Sequence, residues 1–378
     1  MKIPQVMEAA VYRGKNDLRI ESVPVPRIFP GELLIRVAVC GVCPTDIKKI
    51  HFGTLPPPRI FGHETAGTVV RVGALVRGFK IGDRVALHHH IPCLRCRACQ
   101  HRAFAQCATY KKTGVTAGFE AAGGGFAEYV RVMPFVLPGV VKIPRRNSFI
   151  EGAMLEPVNT VLKAVNKLRL MHGDVVLVIG QGPIGLLFTR LFKLQGTRVW
   201  ATEIIRERLD FARHWGAERA LNPSNNGFME NCLGAVRGGF DAVVVTVPSD
   251  TAVNQGEVLV RRGGQILLFA HTQRGEQNLF DFSSVCVEEK DLIGSYSADV
   301  TLQKKVSRRV FSGEVDVTCL VSHRFPLRLT EQAVKYASKP TASALKVVVE
   351  PGRELLETLD FTGRMGSGKK EEKTGKKI

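Results

Sequence analysis

The sequence predicts an α/β protein with two lobes, and three observations carry that reading. Up to about Val141 the chain is a series of short β-type runs broken by Gly and Pro. From about Gly152 apolar strands alternate with helical stretches, the pattern of a doubly wound parallel sheet. Within that second region, an apolar strand from Val175 to Ile179 runs directly into a glycine-rich turn that opens a helix.

In chain order, the first lobe offers strands at Glu8 to Tyr12, Leu33 to Val39, Thr65 to Val72, Asp83 to Leu87 and Phe126 to Val132. Each is a β-branched or aliphatic run closed by turn residues, which suggests a barrel-like lobe with long loops. The second lobe offers strands at Val175 to Ile179, Arg198 to Thr202, Asp241 to Val247, Gln265 to Ala270 and Leu292 to Tyr296, with a helix from Ile184 to Leu194 after the first. A helix from Asp299 to Phe311, a strand at Val321 to Phe325, a helix at Thr330 to Ala337 and a strand at Leu345 to Val349 follow, and this segment is expected to rejoin the first lobe. No internal repeat is evident.

With 378 residues, 44% of them hydrophobic, the chain is long enough for two or three globular domains. No apolar stretch reaches the ~18 residues that span a bilayer, because the richest, Val175 to Phe188, is interrupted by Gly180, Gln181, Gly182, Pro183 and Gly185. Met1-Lys2-Ile3-Pro4 carries no apolar signal run, so a soluble cytoplasmic protein is expected. The formal charge of +18 invites a nucleic-acid reading. Its distribution argues against that, since the excess is scattered singly, and Arg364 to Ile378 is a Gly- and Lys-rich tail of disordered composition. No aromatic-interleaved basic motif accompanies it.

The glycine-rich turn reads Gly180-Gln181-Gly182-Pro183-Ile184-Gly185. Gly180 permits the tight turn, Gly182 lets the backbone approach a pyrophosphate, and Gly185 allows close packing of helix on strand, with the helix N-terminus facing the phosphates. Glu203 ends the next strand, where a carboxylate accepts hydrogen bonds from the adenosine ribose and repels a 2′-phosphate. NAD is therefore favoured over NADP, although Arg206 and Arg208 follow closely and either would tolerate that phosphate.

Four cysteines in the spacing Cys93-x2-Cys96-x2-Cys99-x7-Cys107 read as a closed structural zinc site. Two disulfides are the alternative, but they need an oxidising compartment, and the chain has nine cysteines, an odd number. Cys43, His63 and Glu156, with Glu64 beside His63, would together make an open catalytic zinc set. No spacing rule joins these residues. Taken singly, Cys43 reads equally as a small buried residue, His63 as a turn histidine and Glu156 as an acid at a helix start before Pro157.

At these residues the chain resembles the zinc-containing medium-chain dehydrogenases, in the branch that contains sorbitol and threonine dehydrogenases. The resemblance runs from about Met7 to Pro351 and rests on Cys43-Pro44-Thr45-Asp46, Gly62-His63-Glu64, Gly82-Asp83-Arg84-Val85, the four-cysteine loop, Gly124 to Tyr129, Glu156-Pro157 and Gly180 to Gly185 with Glu203. It implies a GroES-like β-barrel catalytic domain over residues 1–155, a Rossmann NAD-binding domain over 156–296, a return segment over 297–351 and a basic tail over 352–378. It implies catalytic zinc on Cys43, His63 and Glu156, with Glu64 as an alternate ligand, and structural zinc on Cys93, Cys96, Cys99 and Cys107. Thr45 would pass the proton out of the cleft, and Asp46 would orient the zinc-binding imidazole. The activity implied is hydride transfer between NAD and a polyol, sugar alcohol or other secondary alcohol, or the reverse carbonyl reduction, in a homodimer or homotetramer joined through the Rossmann lobe. A non-redox or biosynthetic member that keeps structural zinc and nucleotide is the alternative.

Many members of the family have Gly where this chain has Pro44, which suggests altered tension in the loop carrying Cys43. His51, five residues after Asp46, is a candidate proton relay set against a solvated histidine. His88, His89 and His90 cannot all converge on one ion from a strand without a turn, because neighbouring side chains face opposite ways, and His88 or His90 is the better placed to line the cleft. Cys40, Cys232, Cys286 and Cys319 read as buried thiols.

Overall fold

The computed structural model describes residues 2–88, 91–113, 124–270, 275, 277–339, 341–342 and 344–353. His89, His90 and the tail beyond Arg353 lie outside the described residues.

The first lobe is built on strand Leu33–Gly41, whose residues are buried along nearly its whole length. It pairs antiparallel with Glu64–Val72, with Tyr129–Val132 and with Lys346–Glu350. Arg84–Leu87 and Val141–Lys142 extend the sheet on one side and Val321–Pro326 on the other. A second, antiparallel sheet of Asp17–Pro24, Val6–Gly14 and Arg59–Ile60 completes the barrel-like lobe around Leu33, Ile35, Phe61, Phe126 and Val130. The chain's last strand thus returns to its third, with Val348 opposite Gly41 and Val349 opposite Cys40.

The second lobe is a six-stranded, all-parallel sheet in the spatial order Ala217–Leu221, Arg198–Thr202, Val175–Ile179, Phe240–Val245, Val260–Leu268, Asp291–Gly294. Val175–Ile179 is a continuous apolar run because it is central and covered on both faces. The strand order reverses beside it, which opens a crevice at the carboxyl ends of the strands. Helices Leu155–Val165, Pro183–Leu194 and Gln303–Phe311 bury Val158, Leu162, Leu187, Leu191 and Val306 on one face. Trp200, Phe240 and Leu259 fill the other.

Several elements depart from the sequence reading. Asp17–Pro24 and Ala217–Leu221 are strands that apolar patterning does not announce, since both are edge strands with charged side chains on the exposed face. The expected helix from Asp299 splits into a 3-10 turn at Val300–Leu302, capped by Asp299, and an α-helix at Gln303–Phe311. Pro44 imposes no strain on the Cys43 loop. It is the first residue of helix Pro44–Phe52, where the missing N–H has no partner to lose, and Cys43 before it is extended, with φ −100° and ψ 143°. Cys40 and Cys232 are buried as expected, whereas Cys286 and Cys319 are exposed. No helix among the described residues is long and apolar enough to cross a membrane.

Candidate active site and metal centres

The helix Pro44–Phe52 begins immediately after the third strand, so Cys43 stands at the strand–helix junction and Asp46 lies one turn in, buried. Glu64 opens the next strand of the same sheet, Glu64–Val72, and His63 immediately precedes it. Glu156 starts the helix Leu155–Val165 that covers the parallel sheet. Cys43, His63 and Glu64 bring ligand atoms within 4.8 Å of one another. Glu156 stands outside that tight set but lines the same cavity of about 530 Å³, with its Oε1 accepting from the Thr160 hydroxyl at 3.2 Å.

Beneath the set, His63 Nδ1 lies 3.2 Å from Asp46 Oδ1. This bond orients the imidazole, which also hydrogen-bonds the Cys43 side chain. Lys346, only 5% exposed, sets its ammonium 2.5 Å from Glu64 Oε2 and donates to Val42 O at 3.0 Å. The cluster is rich in anionic groups buried together. Burial resists ionisation of Asp46, yet His63 beside it holds the carboxyl below its ordinary range. Burial likewise opposes charge on His63, but Asp46 and Cys43 outweigh it and raise the imidazole well above its usual value. Glu156 is pushed up, chiefly by burial and further by Glu64, while His63 pulls the other way. Lys346 is raised because Glu64 and Cys43 overcome the effect of burial. Glu64 has a cation at hand in Lys346, whereas among the described residues Glu156 accepts only from a hydroxyl. A cysteine sulfur, an imidazole and a buried carboxylate around one cavity are donors that fit zinc.

The four-cysteine loop forms its own small core with Phe104 and Tyr110. Cys93, Cys96, Cys99 and Cys107 bring their sulfurs within 4.8 Å of one another. The Sγ–Sγ separations of 3.9 Å for Cys93–Cys99 and 3.5 Å for Cys96–Cys99 bracket the ~3.8 Å edge of a tetrahedron with Zn–S bonds of about 2.3 Å. They are far from the ~2.05 Å of a disulfide, and all nine cysteines are unpaired. Burial works against the Cys107 thiolate, but backbone N–H groups of Cys93 and Tyr110 outweigh it and bring that thiol down to about 6. This loop fits a closed zinc site.

Across the cavity stands the nucleotide turn. Gly180 has φ +89°, and a Cβ at Gly185 would stand 1.8 Å from the Gly180 carbonyl, so helix and turn touch backbone to backbone. Pro183 and Ile184, at the start of the helix, line the cavity, as does Arg208. Glu203 is turned back toward the turn: Oε2 accepts from Gln181 N at 2.9 Å and Oε1 from Ile204 N at 2.8 Å. Arg208 lies 3.6 Å from Glu203 and donates to Ala344 O at 2.7 Å, tying the second lobe to the return segment.

Thr45 lines the cavity. His51 is not among the residues that line it: it is exposed near the far end of its helix, 3.2 Å from Asn16 Oδ1. Lys346, Tyr110 and Thr160 also line the cavity, and no sequence motif marks Tyr110. Lys346 had a signal, as a lone cation opening the apolar run Val347-Val348-Val349, and Thr160 had one in its spacing of four from Glu156.

A parallel-sheet lobe with a phosphate turn, facing a barrel lobe with a thiolate, imidazole and carboxylate set, defines a zinc- and nicotinamide-dependent oxidoreductase. Comparison with known proteins names the family. The model for the alcohol dehydrogenase GroES-like domain matches residues 29–145, and that for zinc-binding dehydrogenase matches residues 183–311. The chain is 30% identical to D-arabinitol dehydrogenase 1 of Uromyces fabae, over 92% of this chain and 98% of that one. It is 29% identical to sorbitol dehydrogenase of Bacillus subtilis (strain 168), over 93% and 99%. Among solved structures, a proposed zinc-binding dehydrogenase from Sinorhizobium meliloti 1021 bound to NADP superposes with a TM-score of 0.83 at 28% identity, covering 92% of this chain and 100% of that one. The chain belongs to the zinc-containing medium-chain alcohol dehydrogenases.

Proposed function

We propose that this protein moves a hydride between NAD and a polyol, sugar alcohol or other secondary alcohol, in either direction. The observation that carries the reading is the shared cavity, in which Cys43, His63 and Glu156 face Pro183 and Ile184 at the start of the nucleotide helix. Its relatives named for sorbitol and D-arabinitol support the substrate class. Cys43, His63 and Glu156 would hold a zinc ion, which would supply a Lewis acid for the substrate oxygen, and a bound nicotinamide would supply the hydride chemistry. Asp46 holds the His63 tautomer, Glu64 paired with Lys346 stands as an alternate ligand, and Thr45 carries the proton away from the substrate hydroxyl. Cys93, Cys96, Cys99 and Cys107 hold the second zinc. Gly180, Gly182, Pro183, Ile184 and Gly185 receive the pyrophosphate. Glu203 disfavours a 2′-phosphate, and Arg208 closes the pocket around the adenosine end.

We assign residues 1–155 and 297–351 to the catalytic domain and 156–296 to the nucleotide domain, with helix Gln303–Phe311 of the return segment packed against the nucleotide lobe. The pairing of Lys346–Glu350 with Leu33–Gly41 supports that division. A homo-oligomer joined through the nucleotide domain is supported by its edge strand Asp291–Gly294, where Leu292 is exposed and Leu279, Phe282 and Val287 on the neighbouring segment are largely exposed. Unpaired thiols in metal-site geometry support a cytoplasmic setting.

The test is absorbance at the reduced-nicotinamide band with zinc-loaded protein, NAD or NADP, and a panel of polyols and secondary alcohols. Turnover with NAD, at least tenfold above NADP, is expected. Absence of reduction with every alcohol would overturn the reading in favour of a non-redox member.

A further inference from the structure

The helix Leu155–Val165 carries a second row of chemistry along the face that begins at Glu156. Positions 156, 160, 163 and 167 recur at the helical period, so Glu156, Thr160, Lys163 and Lys167 follow one another along one side of the helix and the turn that continues it. The first two line the active-site cavity, and the last two line a separate cavity of about 350 Å³. The two cavities share Phe269, Ala270, Ser295 and Tyr296 as walls. Along the helix, Lys163 stands about 10 Å from Glu156.

Charge in the second cavity has one sign. Lys163, Lys167 and Arg102 line it, and no acidic side chain does so among the described residues. Lys163 donates to Tyr296 O at 2.8 Å and Lys167 to Gly294 O at 2.6 Å. These bonds fix both ammonium groups at the wall and leave each with further donors. Asp299 acts on Lys163 from outside the cavity, but its Oδ1 is held by Thr301 N and Oγ1 at 2.8 and 2.6 Å. Burial, with Lys167 adding to it, lowers the Lys163 pKa, as it does where a cation lacks a close counter-charge. Arg102 comes from the four-cysteine loop and holds the left-handed backbone, φ 56°, that non-glycine residues seldom adopt. Its N–H bonds Cys99 O at 2.9 Å, so the metal loop itself sets the backbone from which this side chain extends.

We infer that the cavity bounded by Arg102, Lys163 and Lys167 is a subsite for a phosphate or carboxylate at the far end of the substrate, so that the preferred substrate is an anionic polyol, a sugar-alcohol phosphate or a sugar acid, rather than a neutral one. The inference rests on the dehydrogenase reading above and names the substrate class of that site. Seven helical residues separate Glu156 from Lys163, about 10 Å of rise, which is roughly the length of such a molecule. The four-cysteine loop then has a part in recognition, by presenting Arg102, besides its part in folding.

The test compares a hexitol with its terminal phosphate ester and with the matching onic acid, on zinc-loaded enzyme with NAD. One of the anionic forms is expected to exceed the neutral parent at least tenfold in kcat/KM, with the advantage falling as salt rises. In Arg102→Ala and Lys167→Ala that anionic-to-neutral ratio falls at least tenfold. Equal kcat/KM for all three compounds, or variants that change every substrate alike, would overturn the subsite. Calorimetric binding of the phosphate ester and the hexitol to the same zinc-loaded protein separates this from failure of the dehydrogenase reading. If no compound is oxidised, the reading of activity fails. The subsite then stands on tighter binding of the ester that is lost in Arg102→Ala, and falls if ester and hexitol bind alike.

Discussion

The Lys346 ammonium lies 2.5 Å from a Glu64 oxygen, with both side chains almost wholly buried, and joins the last strand of the chain to the floor of the metal set. Removing one partner of a buried pair leaves an uncompensated charge, which costs far more than the pair itself contributes. Lys346→Met should therefore destabilise the protein by about 3–5 kcal/mol in urea denaturation. Lys346→Met combined with Glu64→Gln should recover most of the loss, and a double variant no better than the single one would contradict the pairing.

Glu156 gives a pH dependence with a definite sign. In metal-free protein its carboxyl titrates above its ordinary value, mainly through burial. Below the unfolded value the group is neutral in both states and costs nothing. As pH rises from there through the raised folded value, ionisation penalises the fold, and the penalty then stays constant. Metal-free Glu156→Gln should match wild type in Tm near pH 4 and exceed it at pH 8. With zinc added the order should reverse at pH 8, because the carboxylate then gains a cation. A Tm difference that is flat with pH would mean the Glu156 charge is not buried beside the set.

Gly185 packs against the Gly180 carbonyl so closely that any Cβ must push the helix from the turn. Gly185→Ala should weaken NAD binding at least tenfold by fluorescence titration and cost about 1–3 kcal/mol of stability. Unaltered NAD affinity would place the pyrophosphate elsewhere.

His51 tests the proton path. It is exposed and bonded to Asn16, outside the cavity that Thr45 lines. His51→Ala should keep kcat within twofold across the pH profile, while Thr45→Val should lower kcat at least a hundredfold, the scale of general acid–base assistance. A large kcat loss in His51→Ala would return the relay to that residue.

What could be read in the sequence was what repeats locally. Val175–Ile179 and Arg198–Thr202 have the bounds that patterning predicts, because a central parallel strand is apolar on both faces and a glycine-rich turn marks its end. The four cysteines were legible for the same reason, with all four ligands within fifteen residues of chain. Asp17–Pro24 and Ala217–Leu221 escaped because an edge strand alternates charges that resemble loop. Resemblance, rather than spacing, joined Cys43, His63 and Glu156. Lys346, 282 positions from Glu64, and the pairing of Tyr110 with Ser297, 187 positions apart, are set by tertiary packing that no local pattern encodes.

The central claim is that one metal works and the other holds a loop. Elemental zinc content, measured beside NAD-dependent turnover in wild type, Cys43→Ser and Cys99→Ser, tests it directly. The account predicts two zincs per chain in wild type, and one zinc with no turnover in a folded Cys43→Ser. It predicts a lower Tm in Cys99→Ser, because a closed site contributes folding energy. A single zinc in active wild type, or full turnover in Cys43→Ser, would contradict it.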